Sequence, residues 1–232
     1  MSISLRSVAT GCLGLTGTIS VVSDVFGYVF RDGSNQIFGG NAREMRLGRQ
    51  LALCEGQALN INLILVGEGN FTDTDRMEIQ HGIQFMRDIY DDVDIGVRKL
   101  DWQQISVAHA GSYTVISSDG EAHDLTDDWN GPPGALDVFI VRVMTHADGV
   151  SAVDGPCSKD DKQMTGSVVS LNGSFSNSGN TFAHEIGHYL GLDHVASPTN
   201  FIGNDGASNS NTGITSSQGT TMKAHCHVTD EC

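Results

Sequence analysis

The stretch TFAHEIGHYLGLDH, Thr181 to His194, sets three histidines, a glutamate and a glycine at fixed intervals over the eleven positions that begin at His184. Residues four apart lie on one face of a helix, so His184 and His188 can offer imidazole nitrogens to a single metal ion, with Glu185 beside them. Zinc in a catalytic site usually takes three protein ligands and keeps one position for water, so a third ligand has to come from beyond the helix. Gly191 supplies the route. A glycine after the last turn accepts the left-handed conformation that ends a helix, and the chain can then bring His194 back to the metal. A lone histidine is more often a hydrogen-bonded core or surface residue, and a bare HExxH recurs by accident. Five specified positions in eleven are another matter, with a frequency on the order of one in a million or less per starting position at average residue usage. Phe182, Ile186 and Leu190 give the same helix an apolar side for the core. The reading is one catalytic zinc ion held by His184, His188 and His194, with Glu185 as the catalytic carboxylate.

Upstream, ALNINLILVGEG has an apolar core from Leu63 to Val66 ended by Gly67, the pattern of a buried strand. From about Thr74 to Tyr90 the apolar residues Ile79, Ile83, Met86 and Tyr90 recur at helical spacing, and Asp73 and Asp75 are read as its cap and dipole-compatible charge. VDIGVRKLDW reads as a second strand. ALDVFIVRVM, after the turn from Gly131 to Gly134, reads as a strand covered on both faces, and TGSVVSLNG as a short strand before the histidine-bearing helix. This order gives an α+β protein in which a mixed sheet packs on helices. Residues 1–56 contain the strand-like TGTISVVSDVFGYVF and are otherwise polar and glycine-punctuated. They are read as an N-terminal appendage or pro-segment, and 57–232 as the catalytic domain.

Composition narrows the partners. The 13 basic and 28 acidic side chains give a formal charge of -15, which repels phosphate backbones and anionic headgroups, so nucleic acid is excluded as a partner. The acidic run Asp91, Asp92 and Asp94 offers hard oxygen ligands, which makes Ca2+ a secondary cofactor reading, although no loop has the spaced ligands of an EF-hand. Cys12, Cys54, Cys157, Cys226 and Cys232 contain no CxxC pair, which excludes a cysteine-rich zinc ribbon, favours disulfides and leaves one thiol over. No apolar run has the length of a membrane span, and no basic start followed by an apolar block marks a signal peptide. A secreted protein with an open export route, a monomer by default, is the expectation.

HEIGHYLGLDH resembles the zinc signature of the metzincin metalloendopeptidases, and the similarity extends over about residues 57–228. GVSAVDGPC, Gly149 to Cys157, is similar to the adamalysin (reprolysin) pattern of a glycine, a small residue and a cysteine just before the strand that lines the cleft. ITSSQGTTMKAHC is similar to the C-terminal helix of that group, and its Thr215-x-x-Gln218 is a capping box on physical grounds alone. Adamalysin-like or matrixin-like members are the nearest in pattern. The resemblance implies a twisted mixed sheet packed on two helices, an active-site helix ending at Gly191, a small C-terminal subdomain with a final helix, and a disulfide between Cys157 and Cys226. Two departures stand out. Where such proteins place a methionine turn beneath the zinc, this chain has Ile202, and Met222 falls inside the expected last helix; and no tyrosine follows Tyr189 to assist catalysis. His146 and Asp148 match only half of a matrixin structural zinc site.

The expected function is a zinc-dependent endopeptidase acting on protein or peptide substrates through a zinc-activated water, with Glu185 as general base. An extended substrate is expected to pair with the open edge of the sheet. The alternatives are a latent or delivered protease or toxin effector restrained by its N-terminal segment, and a zinc-binding module without proteolysis. A gluzincin-like aminopeptidase is disfavoured by Gly191 and His194.

Overall fold

A computed structural model of the chain describes residues 57–171, 173–204 and 210–230. The expected appendage 1–56 and Cys12, Cys54 and Cys232 lie outside the described residues. The elements in chain order are β1 (Gln57–Val66), α1 (Asp73–Asp91), β2 (Ile95–Ile105), α2 (Val107–Ala110), β3 (Val115–Ile116), α3 (Asp119–Asp128), β4 (Leu136–Val141), β5 (Val143–Met144), β6 (Gly149–Val150), β7 (Gly166–Ser170), α4 (Phe175–Tyr189), α5 (Ser216–Ala224) and β8 (Val228–Thr229). Two short 3-10 turns complete the order, Glu68–Asn70 before α1 and Gly111–Thr114 after α2.

The main sheet runs β2-β1-β4-β7-β6. β1 is parallel to β2 and β4, and β4 to β7, whereas β6 runs antiparallel to β7 as the edge strand. β8 pairs antiparallel with Ala58 and Leu59, alongside β1 before β4 begins at Ile61. The continuous apolar run of β1 follows from its two covered faces. Leu59, Ile61, Leu63 and Leu65 join α1 and α4 in one core, while Ile64 and Val66 join Leu125 of α3, Phe139 and Val168 in the other. This is the expected α+β arrangement, with α1 and α4 on one face of a mixed sheet.

α1 and α4 pack closely. Tyr90 on α1 donates its hydroxyl to the Ala183 carbonyl on α4 at 2.8 Å, so the helix that carries the histidines is bonded to its neighbour one residue before His184.

Three details differ from the sequence reading. The cap of α1 is Thr72, whose hydroxyl accepts from the Asp75 amide while the Asp75 carboxylate accepts from the Thr72 amide. This reciprocal box satisfies two orphan donors, which Asp73 and Asp75 on their own would not. The run ALDVFIVRVM is two strands, not one. After Val141 the chain leaves the main sheet, and Val143–Met144 pairs with β3 in a separate two-stranded sheet. Finally, α2 and α3 lie in a polar stretch with no long apolar period, and both start at serine caps, Ser106 and Ser118, whose hydroxyls accept from residues three positions on.

Candidate metal centre and cleft

α4 ends as its sequence demands. Leu190 closes it, Gly191 takes φ 96°, and the Gly191 and Leu192 amides bond back to the carbonyls of His188 and Gly187. That left-handed step reverses the chain at a residue without the Cβ that would oppose it. His194 thereby returns to the helix. The Nε2 atoms of His184 and His194 lie 2.9 Å apart, and that of His188 lies 3.1 Å from each of them. Among the described residues this is the only grouping of three or more His, Cys, Asp or Glu side chains close enough to hold one metal ion. The acidic run Asp91, Asp92 and Asp94 forms no such group.

The outer nitrogens explain which way the rings face. His184 Nδ1 lies 2.9 Å from the Phe201 carbonyl and His188 Nδ1 lies 2.7 Å from the Leu192 carbonyl. A carbonyl can only accept, so both rings carry their proton on Nδ1 and turn an Nε2 lone pair toward the common point. Burial lowers His184 to about 4 and also lowers His188, the Phe201 and Leu192 carbonyls acting in the opposite direction. Neutral imidazoles with facing lone pairs cannot hydrogen-bond to one another. They repel unless a cation sits between them, and their separations approach the roughly 3.3 Å expected for three nitrogens around tetrahedral zinc at Zn–N of about 2.0 Å. The donor set therefore fits zinc.

Glu185 lies beneath the edge strand. A Cβ on Gly149 would stand 2.5 Å from Glu185 Cγ and 2.9 Å from its Oε1, so only glycine lets the carboxylate approach β6 this closely. Burial raises the Glu185 carboxyl from its usual range to about 8, and the charges of Asp148 and Asp119 push it in the same direction. Its carboxylate has no hydrogen-bond partner among the described residues.

The floor of the site comes from the chain after His194. The Val195 amide bonds to the Ile202 carbonyl at 3.1 Å, and Ile202 Cδ1 lies 3.2 Å from where a Cβ on Gly187 would be, which packs this residue against α4 at the position before His188. Asn200 and Gln218 exchange two amide hydrogen bonds at 2.9 and 3.0 Å, and Asn200 Oδ1 also accepts from the Ile202 amide at 3.1 Å. Met222 is fully buried in α5, whose capping box at Thr215 and Gln218 is formed as the sequence predicts.

Behind the site, the segment after β6 is tied to the end of α4. The Asp154 and Gly155 amides bond to the carbonyls of His188 and Tyr189, and the Tyr189 hydroxyl donates to the Pro156 carbonyl at 2.9 Å. Cys157 and Cys226 form a disulfide with a Cα separation of 6.0 Å, joining this segment to the residues after α5. Among the described residues His146 joins no group that could hold a metal ion, and its Nε2 lies 2.8 Å from Asp119 Oδ1. The sequence motif brought together His184, Glu185, His188 and His194. It did not reveal the Phe201 and Leu192 carbonyls, because a backbone acceptor has no side-chain signature. The one signal for Gly149 was its place in GVSAVDGPC.

The description Metallo-peptidase family M12B Reprolysin-like fits the chain over residues 77–195. Among solved structures, the chain is similar to the crystal structure of metalloproteinase-II from Bacteroides fragilis, with 18% sequence identity and a TM-score of 0.47. That alignment covers 72% of this chain and 52% of the other, so the chain spans about half the length of that structure. No curated protein matches the chain.

Proposed function

The chain belongs to the reprolysin-like metallopeptidases of family M12B, within the metzincins, and on that premise we propose that it is a zinc-dependent endopeptidase with Glu185 as its general base. The observation that carries this is the convergence of three Nε2 atoms beside a buried, unpartnered carboxylate under a sheet edge. His184, His188 and His194 are the residues that would hold the zinc ion. When bound, zinc polarises a substrate carbonyl and acidifies water.

Glu185 accepts the proton from the attacking water and hands it to the leaving amine. Buried, and without a partner of its own among the described residues, it is placed to serve both halves of that task. Gly149 keeps the space into which the carboxylate reaches. The edge of β6 receives an extended peptide by strand addition, which reads backbone more than side chains and suits cleavage within a chain. The Cys157–Cys226 disulfide supports a secreted or extracellular setting, where such bonds persist. Among the described residues no helix is long and apolar enough to cross a membrane.

The test is a casein or peptide-library digest read by mass spectrometry, with and without a chelator, on the parent and on Glu185→Gln. The parent should cut within chains in a chelator-sensitive way. The variant should keep its zinc and lose about 100-fold to 10,000-fold in rate. Hydrolysis by the variant at the parental rate would exclude Glu185 as the base, and trimming confined to chain ends would replace endopeptidase with exopeptidase.

A further inference from the structure

The edge strand presents more than an open backbone. Gly149 opposes Val169 and Val150 opposes Val168, and the Ser170 amide bonds to the Asp148 carbonyl at 2.8 Å. In an antiparallel ladder bonded pairs alternate with unbonded ones, so Asp148 and Val150 turn their backbone groups toward β7 while Gly149 turns its N–H and C=O outward. Side chains alternate as well. Gly149 faces Glu185, and Val150 packs with the core on the α3 side. Asp148 therefore shares the α3 face of the edge, above the cleft.

A second carboxylate lies on that rim. Asp119 is the first residue of α3, and His146, two residues before Asp148, bonds to it. Asp148 and Asp119 are both exposed, and both act on Glu185 through their charge. Asp148 has no ion pair among the described residues, and two cations of adjoining segments are already paired, Arg142 with Asp75 and Lys159 with Asp137. Glu185 itself is only 7% exposed, has no partner among the described residues and lies directly under this strand. The groove thus combines outward-facing backbone groups, a buried acceptor and a rim of two carboxylates, of which Asp119 is bonded to His146 and Asp148 has no ion pair among the described residues.

We propose that the cleft selects peptides carrying lysine or arginine at the residue that faces Asp148 across the β6 edge, with Asp148 and Asp119 as the specificity-determining carboxylates. This rests on the peptidase reading above. A substrate strand paired with Gly149 directs its neighbouring side chains to the α3 face, where a cation meets both carboxylates and an anion is repelled. Opposite charges across a strand pair suffice for a preference of about three- to tenfold in kcat/KM for lysine over glutamate at that residue.

The experiment uses the full chain loaded with zinc and one peptide scaffold in which each residue around the cleaved bond is set in turn to Lys, Arg, Gln or Glu. One position should show the order Lys and Arg, then Gln, then Glu. The Lys-to-Glu ratio should shrink toward unity in Asp148→Asn and shrink further with Asp119→Asn added. Raising the salt from about 0.05 M to about 0.5 M should compress the same ratio in the unsubstituted protein, a readout that needs no variant to fold. Zinc-dependent cleavage with equal rates on all four peptides would overturn the preference and leave the peptidase intact. A salt-independent ratio, or one unchanged in folded Asp148→Asn, would remove these carboxylates from specificity. A parent that cuts no peptide would defeat the peptidase reading and this inference with it.

Discussion

His184 and His188 sit on α4, buried, each with Nδ1 tied to a backbone carbonyl, whereas His194 is exposed, follows Gly191 and has no Nδ1 partner among the described residues. The helical pair is fixed by periodic structure and by packing: α4 packs against both the sheet and α1, and Tyr90 bonds to its backbone. The third histidine depends on a chain reversal and on the irregular segment that follows it. That segment is held by long-range bonds, from Val195 to Ile202, from Phe201 to Gly213, and by the Asn200–Gln218 amide pair. The contrast shows two ways of orienting a ligand, one built into a helix and one closed by the metal itself. It also locates Glu185 in the rigid half.

The largest effect expected from this contrast is the response of metal-free protein to pH. Glu185 is raised from its usual 4.5 to about 8 in the fold, first by burial and then by Asp148 and Asp119. Between those values the folded chain holds a proton that the unfolded chain has lost. The stability this group contributes is complete below about pH 4.5 and is lost as pH rises through about 8. In chelator-treated protein, the parent should therefore weaken relative to Glu185→Gln across that window, by an amount on the order of 5 kcal/mol as an upper limit. Urea unfolding of both proteins at several pH values measures it. Parallel stability profiles would mean that the carboxylate is solvated and the rigid half is not as dry as described.

The next effect concerns the floor. Met222 is fully buried in α5 and is bonded to none of the three histidines, so Met222→Ala should cost about 2–5 kcal/mol of stability and spare zinc retention. Ile202→Met conserves apolar volume against α4 and should cost less than about 1.5 kcal/mol. Ile202→Ser sets a hydroxyl and a void there and should weaken stability and zinc retention together. Calorimetry paired with zinc analysis separates these outcomes. Loss of zinc from Met222→Ala with none from Ile202→Ser would reverse the assignment of the floor.

The same contrast accounts for what the sequence disclosed. β1, α1, β2 and β7 announce themselves because a buried face imposes a period of two or of 3.6, or a continuous apolar run where both faces are covered. HExxHxxGxxH discloses the triad because metal geometry constrains spacing as strictly as a helix does. The family resemblance supplied Cys157–Cys226, which the structure contains. The break at Arg142 was hidden, since a strand that changes sheets keeps its apolar composition. α3 was hidden by its acidity: only Ala122, Leu125 and Thr126 are buried, too few to print a stripe. The Thr72 cap was misassigned because several capping residues stand side by side, and only the geometry shows which hydroxyl meets the third amide.

The smallest effect probes the contrast most directly, through the stability of metal-free histidine variants. His188→Ala removes the donor to the Leu192 carbonyl, and His184→Ala removes the donor to the Phe201 carbonyl; each leaves a buried acceptor unpaired and a void in a packed site. Either should cost about 1–3 kcal/mol. His194 makes no such bond to a carbonyl among the described residues and is exposed. His194→Ala should therefore change metal-free stability by less than about 0.5 kcal/mol, as for a surface substitution. With zinc in excess the ranking should collapse. All three variants lose a ligand, and with it the stabilisation that binding gives to the folded state alone. Urea unfolding in chelator and in zinc, on the three alanine variants, reads both conditions. If His194→Ala in chelator proves as damaging as His188→Ala, the loop half is prebuilt to the same degree as the helix, and the metal closes nothing.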